Sequence, residues 1–151
     1  MTVATGIYDA VVAKIISTLP TYIELPESYE IEANATHLMA KAFAVGFLSE
    51  NNNEYHNTNL LNFEREFSII LVNKISAMSN SRTQRVAVEK ALIEDGYTLI
   101  KAFYNDLTLG QVATLIKYTG QTGIEYITAN TDTEKFISIN LTVSVKYQDT
   151  F

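Results

Sequence analysis

The sequence has no cysteine and no tryptophan, and only two prolines, two histidines and six glycines in 151 residues. Without cysteine there is no disulfide framework, no thiolate zinc site and no thiol nucleophile, and folding does not depend on an oxidising compartment. The two histidines, His37 and His56, sit far apart and outside any motif such as HExxH, so neither metal binding nor histidine acid–base catalysis finds support. Both read as surface or strand-edge residues. Long apolar runs are missing too: none approaches the roughly 20 residues of a membrane helix. The apolar opening stretch is interrupted by Asp9 and Lys14 and lacks the basic lead of a signal peptide. A soluble chain with no membrane partner is expected.

Positive charge is also in short supply. Eleven Lys and Arg against seventeen Asp and Glu leave a formal charge of −6, and no segment gathers basic residues into a dense patch. Tight sequence-independent DNA binding, which draws on many phosphate contacts, is therefore not expected. An acidic wall past which DNA slides without sticking is compatible with the same charge.

What is present is the balance of a folding chain: 47% hydrophobic and 19% charged residues. The length suits one core, so residues 1–151 read as a single domain. Ile7, Tyr8, Val11, Val12, Ile15, Ile16 and Leu19 recur every three to four residues, predicting a helix from about Gly6 to Leu19. Thr5 is its expected N-cap and Pro20 its stop. Thr21 to Glu32, with Pro26 and four glutamates, reads as an ordered acidic loop. From His37 to Phe47, large apolar residues at Met39, Phe43, Val45 and Phe47 alternate with small ones, which reads as a strand, with helix as the alternative given the alanines.

Asn51 to Asn59 is polar and Asn-rich and reads as the long tip of a hairpin whose second strand spans Phe67 to Ile75. Ser81 and Gln84 have capping-box spacing and open a second helix through Val88, Leu92, Leu99 and Phe103, which Gly96 weakens without ending. Val112 to Thr128 has strand character interrupted by Gly120 and Gly123, signs of a bulge or bend, and Asn130 to Glu134 is a turn. Lys135 to Tyr147 is the clearest element: Ile137, Ile139, Leu141, Val143, Val145 and Tyr147 alternate with Ser138, Asn140, Thr142, Ser144 and Lys146. A slip of one residue would turn every apolar side chain into water, so the register is set. The expected fold is α+β in the order α-β-β-α-β-β, a mainly antiparallel sheet packed against two helices.

The search for chemistry yields no catalytic, cofactor-binding or metal-binding residue. Asn130, Asp132 and Glu134 alternate like the first ligands of a calcium loop, but the glycine and the closing glutamate of such a loop are missing. Gly120-Gln121-Thr122-Gly123 lacks the Lys-Ser or Lys-Thr of a phosphate loop and reads as the bend of a hairpin. The pairs Glu64/Glu66 and Glu94/Asp95 read as solvated carboxylates. Asn34-Ala35-Thr36 and Asn140-Leu141-Thr142 match the glycosylation sequon but read as chance matches in a chain without a secretion signal. Nine tyrosines spread along the chain suit core and subunit contacts better than one ligand-stacking set.

Four features in order carry a family resemblance: the helix Ile7 to Leu19 ending in Leu19-Pro20, the strand around Ala42 to Phe47, the helix opening Ser81-Arg82-Thr83-Gln84, and the closing Phe136-Ile137-Ser138-Ile139-Asn140-Leu141-Thr142-Val143-Ser144-Val145-Lys146-Tyr147. Their arrangement resembles the tail-terminator and tail-completion proteins of long-tailed bacteriophages. That resemblance implies a virion protein assembled in the host cytoplasm, a hexameric ring, and a place at the junction of tail and head. Its implied partners are the tail-tube protein and a neck or head-completion protein, with DNA passing through unbound. The family has no catalytic residues to transfer. A head-completion stopper or a tube subunit is the alternative within the same virion, and a small-molecule-binding α+β domain is the alternative outside it.

Overall fold

The computed structural model describes residues 3–25, 41–57, 60–75, 82–128 and 135–150. The first helix, α1, spans Val3–Thr18. It begins about a turn earlier than the sequence predicts, so Thr5 lies inside the helix and not at the N-cap position. Ile7, Val11 and Ile15, four residues apart, are its buried stripe, while Ile16 is exposed. Pro20 ends it, and the amide of Tyr22 closes the turn on the carbonyl of Leu19 at 3.0 Å.

The chain then enters the sheet through a two-residue strand, β1 (Ile23–Glu24), parallel to β2 (Lys41–Asn57). An antiparallel hairpin links β2 to β3 (Leu60–Ile75). Helix α2 (Arg82–Tyr104) follows, then β4 (Leu115–Gln121), β5 (Glu125–Thr128) and β6 (Lys135–Thr150). Among the described residues the fold is thus α+β, two helices and a six-stranded, mostly antiparallel sheet in the order β1-β2-β3-β6-β4, with β5 also on β6.

The element order α-β-β-β-α-β-β-β departs from the predicted one by two added strands, and the extent of a third differs. β1 falls in the stretch read as an acidic loop, and two residues carry too little pattern to announce a strand. The predicted single strand Val112 to Thr128 is two, and Gly120 and Gly123 do not bend a hairpin. Both β4 and β5 run antiparallel to β6, one against Leu141–Lys146 and the other against Lys135–Ser138, so together they make one interrupted edge strand. Thr122 bridges the break: its amide donates to the Asn140 carbonyl at 2.9 Å, and its Oγ1 accepts from the Asn140 amide at 3.1 Å. Finally, the Asn-rich tip is strand: β2 continues to Asn57, opposite Leu60.

The core lies between the helices and one face of the sheet. In register across β2, β3 and β6 that face presents Phe43, Leu71 and Ile139, then Val45, Ile69 and Leu141, then Phe47, Phe67 and Val143. All but Phe47 are buried, in one cluster with Ile7, Val11, Ile15, Leu92, Leu99 and Phe103 of the helices. The predicted alternation of β6 holds from Ile137 to Tyr147, although the strand runs on to Thr150. Gly96 lets α2 sit close: a Cβ there would lie 2.8 Å from Cδ1 of Ile139.

Candidate functional site

Four places in the fold gather polar or exposed apolar side chains. The first is where the chain leaves α1. Tyr22 and Asn73 are buried, and the Tyr22 hydroxyl lies 2.7 Å from Oδ2 of Asp95 and 2.9 Å from the Asn73 carboxamide. One phenolic proton serves one acceptor, and the charged one is the stronger, so Tyr22 donates to Asp95. Lys41 completes the group, its Nζ 3.3 Å from the same carboxylate oxygen and 5.4 Å from the centre of the Tyr22 ring. Burial first, and then the Asp95 carboxylate, push the Tyr22 pKa far up, so the phenol stays neutral. The group has the wiring of a clamp that ties β1, β2, β3 and α2 together. Asp95, read from sequence as a solvated carboxylate, is its centre, and Glu94 beside it is exposed as expected.

The second place is where β2, β3 and β6 run on beyond the middle of the sheet. A bulge between Phe47 and Glu50 turns Glu50 to the helix side. There Arg65 Nη2 lies 3.1 Å from Glu50 Oε2, and Nη1 donates to the Leu48 carbonyl at 3.3 Å. Tyr147, buried, donates to Glu50 and stacks on Phe63. Burial and the Glu50 carboxylate raise its pKa to about 12. The Arg65 guanidinium also lies over the Phe47 ring, which stacks on Tyr8 of α1 at 4.9 Å and tilts against Phe67 at 5.4 Å. Beyond this knot the hairpin continues from Asn51 to Asn57, with Leu60 to Phe63 beside it and β6 following to Thr150.

The third is the sheet face away from the helices. The pattern of β6 suggests a solvated hydroxyl row there, but Ser138 and Ser144 are buried. Ser144 donates to Glu64 at 2.6 Å and Ser68 to Asn140 Oδ1 at 2.9 Å, so this face is a self-satisfied polar network. Glu64 is thus engaged across the strands, not simply solvated. Near the sheet end that holds β1, Ala42, Val72 and Phe136 form a small apolar cluster with Leu25 and Ile70. The sequon residue Asn140 is inside this network on an inner strand, which leaves its carboxamide poorly placed for a glycan.

The fourth is the turn from α2 to β4. Leu109, Gly110 and Gln111 all have positive φ, 49°, 68° and 72°. Two side chains hold this costly conformation: Asp106 Oδ1 accepts from the Gly110 amide at 3.0 Å, and Thr108 Oγ1 from the Gln111 amide at 3.2 Å. The Gly110 amide and then Lys14, 2.9 Å away, hold the Asp106 pKa below its ordinary value. The turn buries Leu109 yet leaves Leu107 and Val112 exposed on either side. Tyr97 and Tyr104 lie near Tyr118, whose pKa is raised by burial and by those two phenols.

His37, Asn34 and the turn Asn130 to Glu134 lie outside the described residues, as does the proposed cap Ser81; His56 falls in β2 and not in a loop. Among the described residues no group of three His, Asp or Glu side chains could hold a metal, and no helix is long and apolar enough to cross a membrane. Two shallow grooves lie on the surface, of about 450 Å³ beside Arg82, Thr83, Val86 and Lys90 and about 360 Å³ beside Ala13, Lys14, Ser17 and Asp106; in the second, Ser17 donates to the Lys14 carbonyl at 3.0 Å and Lys14 pairs with Asp106. The joining group Tyr22, Asn73, Asp95 and Lys41 escaped sequence reading because its members are up to 73 positions apart. No protein-family model matches the sequence, and no curated protein matches it significantly.

Proposed function

We propose that this chain is a structural virion protein that forms a ring at the end of a phage tail tube, stops its polymerisation and presents the docking surface for the neck. The observation that carries this reading is the mismatch between sheet and helices. At about 3.3 Å per residue the 17 residues of β2 span about 56 Å, and β3 and β6, at 16 residues each, almost as much. At 1.5 Å per residue α1 and α2 reach only about 24 and 35 Å. Three strands therefore outrun the layer that makes the core, far past the usual five or six residues. Such an extension serves a chain that must reach a neighbour better than one that must enclose a substrate.

The charge pattern agrees with a DNA conduit. Among the described residues the helix-free face sets Glu64, Glu66 and Glu125 against Lys74, Lys117 and Lys146 and offers a passing duplex no excess of positive charge to grip. The test is to add the purified chain to tail-tube subunits of its own phage during assembly and image the products. Tubes of arrested length with a ring at one end are expected. Tubes that lengthen unchecked with bare ends would sink the reading. Cylinders formed by the chain alone would make it a tube subunit, and a ring found only on portal vertices would make it a stopper.

A further inference from the structure

The two ladders that run on beyond the helices are built differently. Between β3 and β6 the pairing is unbroken from Leu60 and Thr150 to Ile75 and Lys135. Between β2 and β3 it shifts three times, at Phe47/Glu50, Asn52/Glu54 and Tyr55/Asn57, and each shift puts one extra residue on β2. A bulge leaves its extra residue unpaired and interrupts the ladder. All three lie past Phe47, where β2 also becomes rich in asparagine, a residue of low strand propensity. Over the core, from Lys41 to Phe47, the same strand pairs without a shift.

Just past the first bulge β2 is held by Glu50, whose carboxylate lies 3.1 Å from Arg65 Nη2 of β3 and accepts from the Tyr147 hydroxyl of β6. The hold is imperfect. Arg65 Nε is buried with no hydrogen-bond partner among the described residues, and a buried donor left unpaired works against the closed arrangement. The β3–β6 ladder has better support at the same level, where Phe63 stacks on Tyr147 and Ser144 donates to Glu64 at 2.6 Å. We infer that Leu48 to Asn57 is a strap that lifts from β3 as one unit while β3 and β6 stay paired, with the contacts of Glu50 as its latch. Native proteins open locally along contiguous, weakly held segments of this kind. The opening belongs to the fold itself and holds whether or not the chain caps a tube.

Amide exchange reads the strap directly, because successive amides of β3 face opposite neighbours. The Thr114 amide donates to the Lys146 carbonyl at 2.8 Å, so Lys146 faces β4 and its neighbours Val145 and Tyr147 face β3. Arg65 and Phe63, opposite them, therefore turn their amides to β6, while Glu64 and Asn62 turn theirs to β2. In wild type, Asn62 and Glu64 are expected to exchange at least about tenfold faster than Phe63 and Arg65, after correction for intrinsic rates. Glu50→Ala is expected to speed Asn62 and Glu64 about tenfold more. Ile139→Val, a core change remote from the latch, is expected to speed the Ile69 and Leu141 amides several-fold and leave Asn62 and Glu64 untouched, because the core stays formed when the strap lifts.

Equal protection of the two β3 sets in wild type would overturn the strap. So would unchanged rates in Glu50→Ala, or an Ile139→Val chain in which Asn62 and Glu64 accelerate as much as the core. Should Glu50→Ala fold poorly, a covalent latch serves instead: Glu50→Cys and Arg65→Cys in one chain, at positions opposed in the register. Its oxidised form is expected to bring Asn62 and Glu64 to the protection of Phe63, and reduction to release them again. The same rates in both forms would overturn the strap as well.

Discussion

Tyr22 illustrates how a residue with no visible motif becomes central. From the sequence it is one of nine tyrosines next to a proline-ended helix; in the fold its hydroxyl meets Asp95 and Asn73 across 73 and 51 positions. Tyr22→Phe keeps the ring and removes the bond, leaving the part-buried Asp95 carboxylate one donor short, and is expected to cost about 1–2 kcal/mol in urea denaturation. The Tyr22 and Tyr147 pKa values are both raised from 10.0. Unfolding therefore releases these protons above pH 10, the unfolded state holding fewer of them than the native one. The contribution of these two tyrosines to stability should be level below that pH and fall as pH rises toward about 12, where Tyr147 ionises in the native state. The doubly substituted Tyr22→Phe, Tyr147→Phe chain is expected to lose much of that alkaline decline in melting temperature, and an unchanged decline would reject the assignment. Pairings of this kind are illegible in one sequence, because they depend on which strands become neighbours.

Whole elements were easier to read where burial imposes a period. β6 and α1 each have one face in the same apolar cluster, and their alternation or three-to-four spacing survives folding almost unchanged. The Asn-rich end of β2 has no such period, since asparagine has low strand propensity and the stretch lies beyond the helix-backed core; it is strand because β3 and β6 continue alongside. Likewise β4 and β5 are one edge interrupted at Thr122, and a lone sequence does not say whether two glycines bend a strand back or only kink it. Gly96 was legible as a weak point of α2, but not as its closest approach to the sheet. Gly96→Ala gains about 0.5–1 kcal/mol of helix propensity and loses about 1–3 kcal/mol to overpacking against Ile139, so net destabilisation is expected. Combining it with Ile139→Val removes the clashing methyl group, and the double-mutant cycle should show the two changes costing less together than their sum.

At the scale of the molecule, the absences read from composition narrowed the question more than any motif did. A chain without cysteine has no thiol chemistry, and with two histidines and a charge of −6 it has few imidazoles and an excess of carboxylates. The fold adds what composition could not: strands longer than their helices, and three bulges on β2 where the core ends. Shortening the hairpin between Asn51 and Asn59 should spare the core, seen as a melting temperature within a few degrees of wild type, yet abolish capping. The most direct test remains imaging tail tubes grown with and without the chain. A ring on one end of each tube and a fixed tube length are expected in its presence; bare, freely lengthening tubes with the chain left in solution would contradict the proposal.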